Sequence, residues 1–158
     1  MKKILLILIM ILLLTGCAKN KTEIILKELK IDKECKLETL RDTHGGFHGD
    51  GEYFSKIKCE KIESDELSDI WVKYPLSEQL DIATNMEQCD SKNCKSIYEK
   101  YGIPRNIAKG YYYFTDRHPD NYSDKHNDVN VNNRASYNYS LAILDLENST
   151  IYYYELDT

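Results

Sequence analysis

KECKLETLR (Lys33–Arg41), DTHGGFHGDG (Asp42–Gly51) and EYFSKIKCEK (Glu52–Lys61) follow one another without a break. Two strand-like runs around a segment holding four glycines predict a β-hairpin. Centring the loop on Phe47 sets Cys35 opposite Cys59, Leu37 opposite Ile57, Glu38 opposite Lys56 and Leu40 opposite Phe54. This one register yields two apolar pairs, a charge pair and two facing cysteines. Opposed residues of antiparallel strands have Cα atoms roughly 4.5–5.5 Å apart, within reach of a disulfide. The register therefore favours Cys35–Cys59 and leaves Cys89–Cys94 as a local clip.

A second hairpin closes the chain. Ser136–Asp145 and Thr150–Leu156 flank Leu146–Ser149, and the natural register sets Tyr139, Leu141 and Ile143 opposite Leu156, Tyr154 and Tyr152. All six side chains then share a face, as in a half-buried antiparallel pair with one core side. Gly110–Asp116 (GYYYFTD) reads as a further strand from its aromatic content.

Between the hairpins the periodicity turns helical. Ser64–Trp71 fits a short helix capped by Ser64, with Leu67, Ile70 and Trp71 on one face. Pro75 interrupts, and Ser77–Met86 repeats Leu76, Leu80 and Ala83 at helical spacing. Ser96–Tyr101 follows, with Gly102 at its end and Pro104 beyond, in the usual stop order. Thr22–Ile31 is a candidate helix with Ile24, Ile25 and Leu29 on one side. Pro119–Arg134 is polar and turn-rich and reads as a long loop. The expected fold is α+β: an antiparallel sheet of about five strands with two terminal hairpins, packed by two or three short helices.

The start of the chain predicts an address. Met1-Lys2-Lys3 precedes an unbroken apolar run, Ile4–Leu14, and then Leu14-Thr15-Gly16-Cys17. A positive start, a short apolar run and small residues before a cut mark an export signal, and this run falls short of the ~20 residues of a membrane span. Leu-Thr-Gly-Cys resembles the bacterial lipobox, which implies cleavage before Cys17 and lipid attachment there. Two acyl chains meet the need of stable anchoring for more than one lipid. The expected organisation is a signal peptide at 1–16, a lipidated cysteine and tether at 17–22, and one globular domain at 23–158. Cleavage would remove Lys2 and Lys3 and shift the formal charge from −5 to about −7. Such an acidic surface carries no footprint for nucleic acid. Cys35, Cys59, Cys89 and Cys94 remain, an even count that suits two disulfides in an exported domain, with free thiols or a metal as alternatives.

Three stretches carry a family resemblance. They are Asp42–Phe54 (DTHGGFHGDGEYF), Gly110–His118 (GYYYFTDRH) and Asn133–Thr158, which opens on Asn133-Arg134-Ala135-Ser136-Tyr137-Asn138. Together they resemble an uncharacterised family of exported lipoproteins of Gram-positive, mostly gut-associated bacteria. The likeness covers most of the mature chain. It implies an extracellular, lipid-anchored location and a shared fold, and it assigns no activity.

Several groups are candidates for chemistry. His44, His48 and Asp50, with His118, form a set that would suit zinc or a similar divalent ion; Asp42 and Glu52 lie beside them. The plainer reading of the same loop, and the favoured one, is an exposed turn whose glycines supply positive φ. Asp116, Arg117 and His118, with Asn133 and Arg134, would make a polar cluster suited to a carboxylate or phosphate if the strand ends meet. Asp128-Val-Asn130-Val-Asn132 matches half of a calcium loop, but Asn133 replaces its glycine and Tyr139 its glutamate. Exposed tyrosine rows would offer a partner surface. No serine-hydrolase elbow or zinc-protease motif is present. The reading is therefore a surface-tethered, non-enzymatic binding module, its contacts drawn from Asp42–Gly51 and the Asp116–Arg134 rim. No cofactor is expected, and the partners are the membrane through Cys17 and an envelope protein or glycan. The alternatives are a metal-dependent envelope hydrolase and a bracing accessory of an envelope complex.

Overall fold

A computed structural model describes residues 21–45, 49–85, 95–118, 126–129, 131–133 and 136–158. Its strands are β1 (Cys35–Asp42), β2 (Gly51–Cys59), β3 (Val72–Lys73), β4 (Gly110–Asp116), β5 (Asn138–Asp145) and β6 (Thr150–Asp157). They form one antiparallel sheet in the order β1-β2-β6-β5-β4-β3. The helices are α1 (residues 21–28), α2 (Glu78–Asn85) and α3 (Ile97–Tyr101), with a 3-10 turn at Ser64–Glu66. The fold is α+β, with one strand more than expected. The addition is β3, whose two residues pair with Tyr111 and Tyr112 and are too few to leave a sequence pattern.

The chain divides at Asp32 into two compact units. In the first, Ile25 of α1 and Leu29 just past its end, four residues apart, are buried. Ile24, expected on the same side, is 58% exposed, since neighbouring helical residues point about 100° apart. Among the described residues no helix is long and apolar enough to cross a membrane.

In the second unit the first hairpin keeps the expected register for half its length. Cys35 faces Cys59 and Leu37 faces Ile57, and the cysteines are joined as a disulfide. The register then slips by one: Thr39 faces Lys56, and Leu40 faces Ser55 rather than Phe54. Glu38 is left without an opposite residue, as in a β-bulge. Its carboxylate still meets Lys56 Nζ at 2.8 Å, so the anticipated charge pair forms across the bulge.

The second hairpin has the anticipated register throughout, with Tyr139 opposite Leu156, Leu141 opposite Tyr154 and Ile143 opposite Tyr152. It is not half-buried, however. β5 and β6 are the middle strands, and Ser140, Ala142, Leu144, Ile151, Tyr153 and Glu155 on their other face are buried too. The near-continuous apolar runs LAIL and IYYY are what two-sided burial requires.

One face of the sheet carries the main core. Phe54, Phe114, Tyr139, Leu141, Ile143 and Tyr154 pack with Leu76 and Leu80 from around α2 and Ile97 and Tyr98 of α3. Burying each such side chain is worth roughly 1.5–3 kcal/mol. Ser96 caps α3 by accepting from Glu99 N, and Gly102 ends it at φ 65. The Ser64–Trp71 helix does not form. Ser64–Glu66 closes a single 3-10 turn preceded by Glu63, whose N–H donates to Glu66 Oε2 at 2.9 Å. Serines and aspartates compete with the helix for backbone groups, and four of them in SDELSD leave it too little to propagate. Trp71 is buried nonetheless, against Tyr113. Cys89–Cys94, Met86, His48, Arg134 and most of Pro119–Arg134 lie outside the described residues.

Candidate functional site

The pairing of β2 with β6 assembles the site. Gly51, which opens β2, faces Asp157 near the end of β6, and Asp157 in turn faces Asn138 at the start of β5. Just past β4, Arg117 N donates to Asn138 O at 2.7 Å. The first hairpin's loop, the end of β6 and the exit from β4 therefore share one end of the sheet.

His44 sits at the centre of a charged relay. Its Nδ1 lies 2.8 Å from Asp42 Oδ1 and its Nε2 3.0 Å from Asp157 Oδ2. The other oxygen of Asp157 accepts from Arg117 Nη2 at 2.9 Å, and the same nitrogen donates to Tyr139 O at 3.1 Å. Both ring nitrogens of His44 are thus occupied by carboxylates, and neither is open to a metal or a substrate proton. Gly51 is required here by close approach. A Cβ at that position would stand 2.6 Å from His44 Cα and 2.7 Å from His44 N, both backbone atoms.

A second network lies beside the first. Glu52 accepts from Lys100 Nζ at 2.8 Å and from Tyr101 Oη at 2.5 Å. Both donors occupy the last turn of α3, where a lysine also suits the helix dipole. Tyr101 stacks on Phe54, ring centroids 4.2 Å apart, and the Arg41 guanidinium lies 5.9 Å from the Tyr101 centroid. Partial burial pushes the Glu52 carboxyl up. The hydrogen bonds from Lys100 and Tyr101, the Lys100 charge and a contact from Tyr154 outweigh it and hold the group below the usual carboxylate value. Between the networks opens a cleft of about 420 Å³, lined by Arg41, Thr43, Asp50, Gly51, Glu52, Lys100, Leu156, Asp157 and Thr158.

The residues singled out in sequence fall out unevenly. His44 joins the relay and Asp50 lines the cleft. Arg117, expected in a polar cluster with Asn133 and Arg134, reaches Asp157 and so links the two predicted clusters. Asp116 is buried, and its Oδ1 accepts from His118 N at 2.9 Å, which shapes the turn after β4. Asn133 is exposed. Of the calcium-like run, Asp128 accepts from Ser77, and Asn132 Nδ2 donates to Gln79 O at 2.8 Å, so both bind the α2 region. Among the described residues no group of three or more histidine, cysteine, aspartate or glutamate side chains is arranged to hold a metal ion.

Arg41, Lys100, Tyr101, Asp157 and Thr158 were not anticipated. Arg41, Lys100 and Asp157 showed only as charges next to a strand or helix end, which are common on any surface, and Tyr101 and Thr158 gave no signal. No family model, no curated protein and no solved structure matches this chain.

Proposed function

We propose that this protein is a membrane-tethered binding module that takes a small ligand in the cleft between the first hairpin's loop and α3. The observation that carries this reading is the pre-arranged state of the cleft walls. Glu52 is fixed by Lys100 and Tyr101, and Asp157 by His44 and Arg117, before any ligand arrives. Fixed donors and acceptors lower the ordering cost of binding. They suit recognition better than turnover, which needs a group free to give or take a proton. The cleft volume also falls in the range typical of small-molecule sites.

The binding reading is tested by titrating purified protein with soluble peptide and glycan fragments of a bacterial envelope while following backbone amide signals. Shifts confined to the cleft, and absent in Lys100→Ala, support it. Shifts elsewhere, or none with either fragment class, overturn it.

The tether rests on Lys2-Lys3, the apolar run and Leu-Thr-Gly-Cys17, and the resemblance to exported lipoproteins supports it. Cys17→Ala should abolish incorporation of labelled palmitate and shed the protein from membranes. Continued labelling would place the lipid elsewhere.

A further inference from the structure

Most charges in the cleft are already spoken for, and two are not. Lys100 is held by Glu52, and Asp157 by His44 and Arg117. Among the described residues the Arg41 side chain forms no ion pair, and its guanidinium rests only near the Tyr101 ring. The Asp50 carboxylate likewise has no partner there. The cleft therefore presents one open cation and one open anion, four register positions apart.

Their separation follows from the register. Arg41 stands opposite Phe54, and Asp50 immediately precedes Gly51, the first residue of β2. From Asp50 to Phe54 is four steps along the chain, roughly 13 Å at about 3.3 Å per residue. An extended peptide covers about 3.3–3.6 Å per residue, so three residues, with an ion-pair contact of about 2.8 Å at either end, cover a gap of that order. Leu156 supplies an apolar stretch of wall between the poles. A polyanion would find one open cation and three carboxylates, Asp50, Glu52 and Asp157, in the same cleft. A neutral molecule with separated poles meets both open charges and adds no net charge.

Building on the binding reading above, we propose that the cleft takes a short peptide with free termini, about three residues long. Its carboxylate pairs with Arg41 and its ammonium with Asp50. A guanidinium can hold a carboxylate through two parallel hydrogen bonds, which fixes direction as well as charge.

The test uses the full-length protein purified in detergent and four probes: trialanine, N-acetyl-trialanine, trialanine amide and the doubly blocked peptide. Calorimetric titration should show trialanine binding best, each single block weakening it roughly tenfold or more, and the double block binding least. Arg41→Gln should erase the preference for a free carboxylate and leave that for a free amine. Asp50→Asn should do the reverse. Both positions are exposed, so unchanged thermal midpoints confirm that the variants fold. Equal affinity for all four probes overturns the proposal, as does tighter binding of the N-acetyl form, which would mark a simple anion site. If no peptide binds while glycan fragments still shift the cleft amides, the peptide assignment falls and the binding reading stands. If neither class binds, both fall.

Discussion

The two hairpins of this protein share a topology, but the outer one ends in a strand that is held by different means. β5 and β6 sit in the middle of the sheet, join through a four-residue turn at 146–149, and bury nearly every side chain. β1 lies at the edge, exposes most of its length including Leu40, and leads into the polar loop that builds the cleft. The inner hairpin is held by apolar burial. In the outer one β2 buries Tyr53, Phe54 and Ile57, whereas β1 is held to it by the Cys35–Cys59 disulfide, the Glu38–Lys56 pair and the tight seat of Gly51 against His44. An edge strand such as β1 has little apolar area to bury, so covalent and polar ties take over.

That contrast is easiest to break by truncation. Leu141→Ala in β5 should cost about 2–5 kcal/mol in urea unfolding, while Leu40→Ala in β1 should stay within about 0.5 kcal/mol. Comparable losses would mean that β1 is packed as β5 is. Next in size is the cross-link. Replacing both Cys35 and Cys59 with serine should remove about 3 kcal/mol by loop-closure entropy. Hydrogen exchange should rise in β1 and the loop before it rises in β5. Uniform loosening would refute the division of labour.

Gly51→Ala sharpens the contrast at the cleft itself. The added methyl meets backbone rather than a movable side chain, so a loss of about 1–3 kcal/mol is expected, with ligand binding impaired more than in Leu40→Ala. A neutral outcome would show that the hairpin base can widen.

The smallest effect concerns pH. Glu52 is held below its ordinary value of 4.5, so its contribution to stability is complete above that value and is lost as pH falls through the folded-state value. Thermal midpoints of the wild type should therefore decline on acidification below about 4.5 more steeply than those of Glu52→Gln. Parallel curves would remove Glu52 from the account.

Much of this was legible in the chain because it is local. Both hairpin registers follow from pairs close in sequence, and Ser96 and Gly102 bracket α3 as capping chemistry dictates. What escaped depends on partners far along the chain. The slip at Glu38 is a matter of one surplus residue, which breaks the expected Leu40–Phe54 pair and leaves no local pattern to announce it. The pairing of β2 with β6 brings Gly51 to Asp157 across more than half the chain, and nothing near Asp157 announces it. Hence the carboxylate that Arg117 meets is Asp157 of this same chain. Similarly, Lys100 and Tyr101 look like ordinary surface residues of a short helix until Glu52 is placed beneath them.

The bulge at Glu38 has a bearing on neighbouring copies of the protein. An outermost strand is a template on which another chain can lay its own backbone, copy after copy, until a fibre grows. Such growth needs a straight, evenly spaced row of amides. Here the row breaks midway, where one residue lacks an opposite number, and Lys36, Glu38, Arg41 and Asp42 would meet the incoming strand with charges of both signs. Crowded side by side, these molecules carry in a single surplus residue a guard against sticking edge to edge.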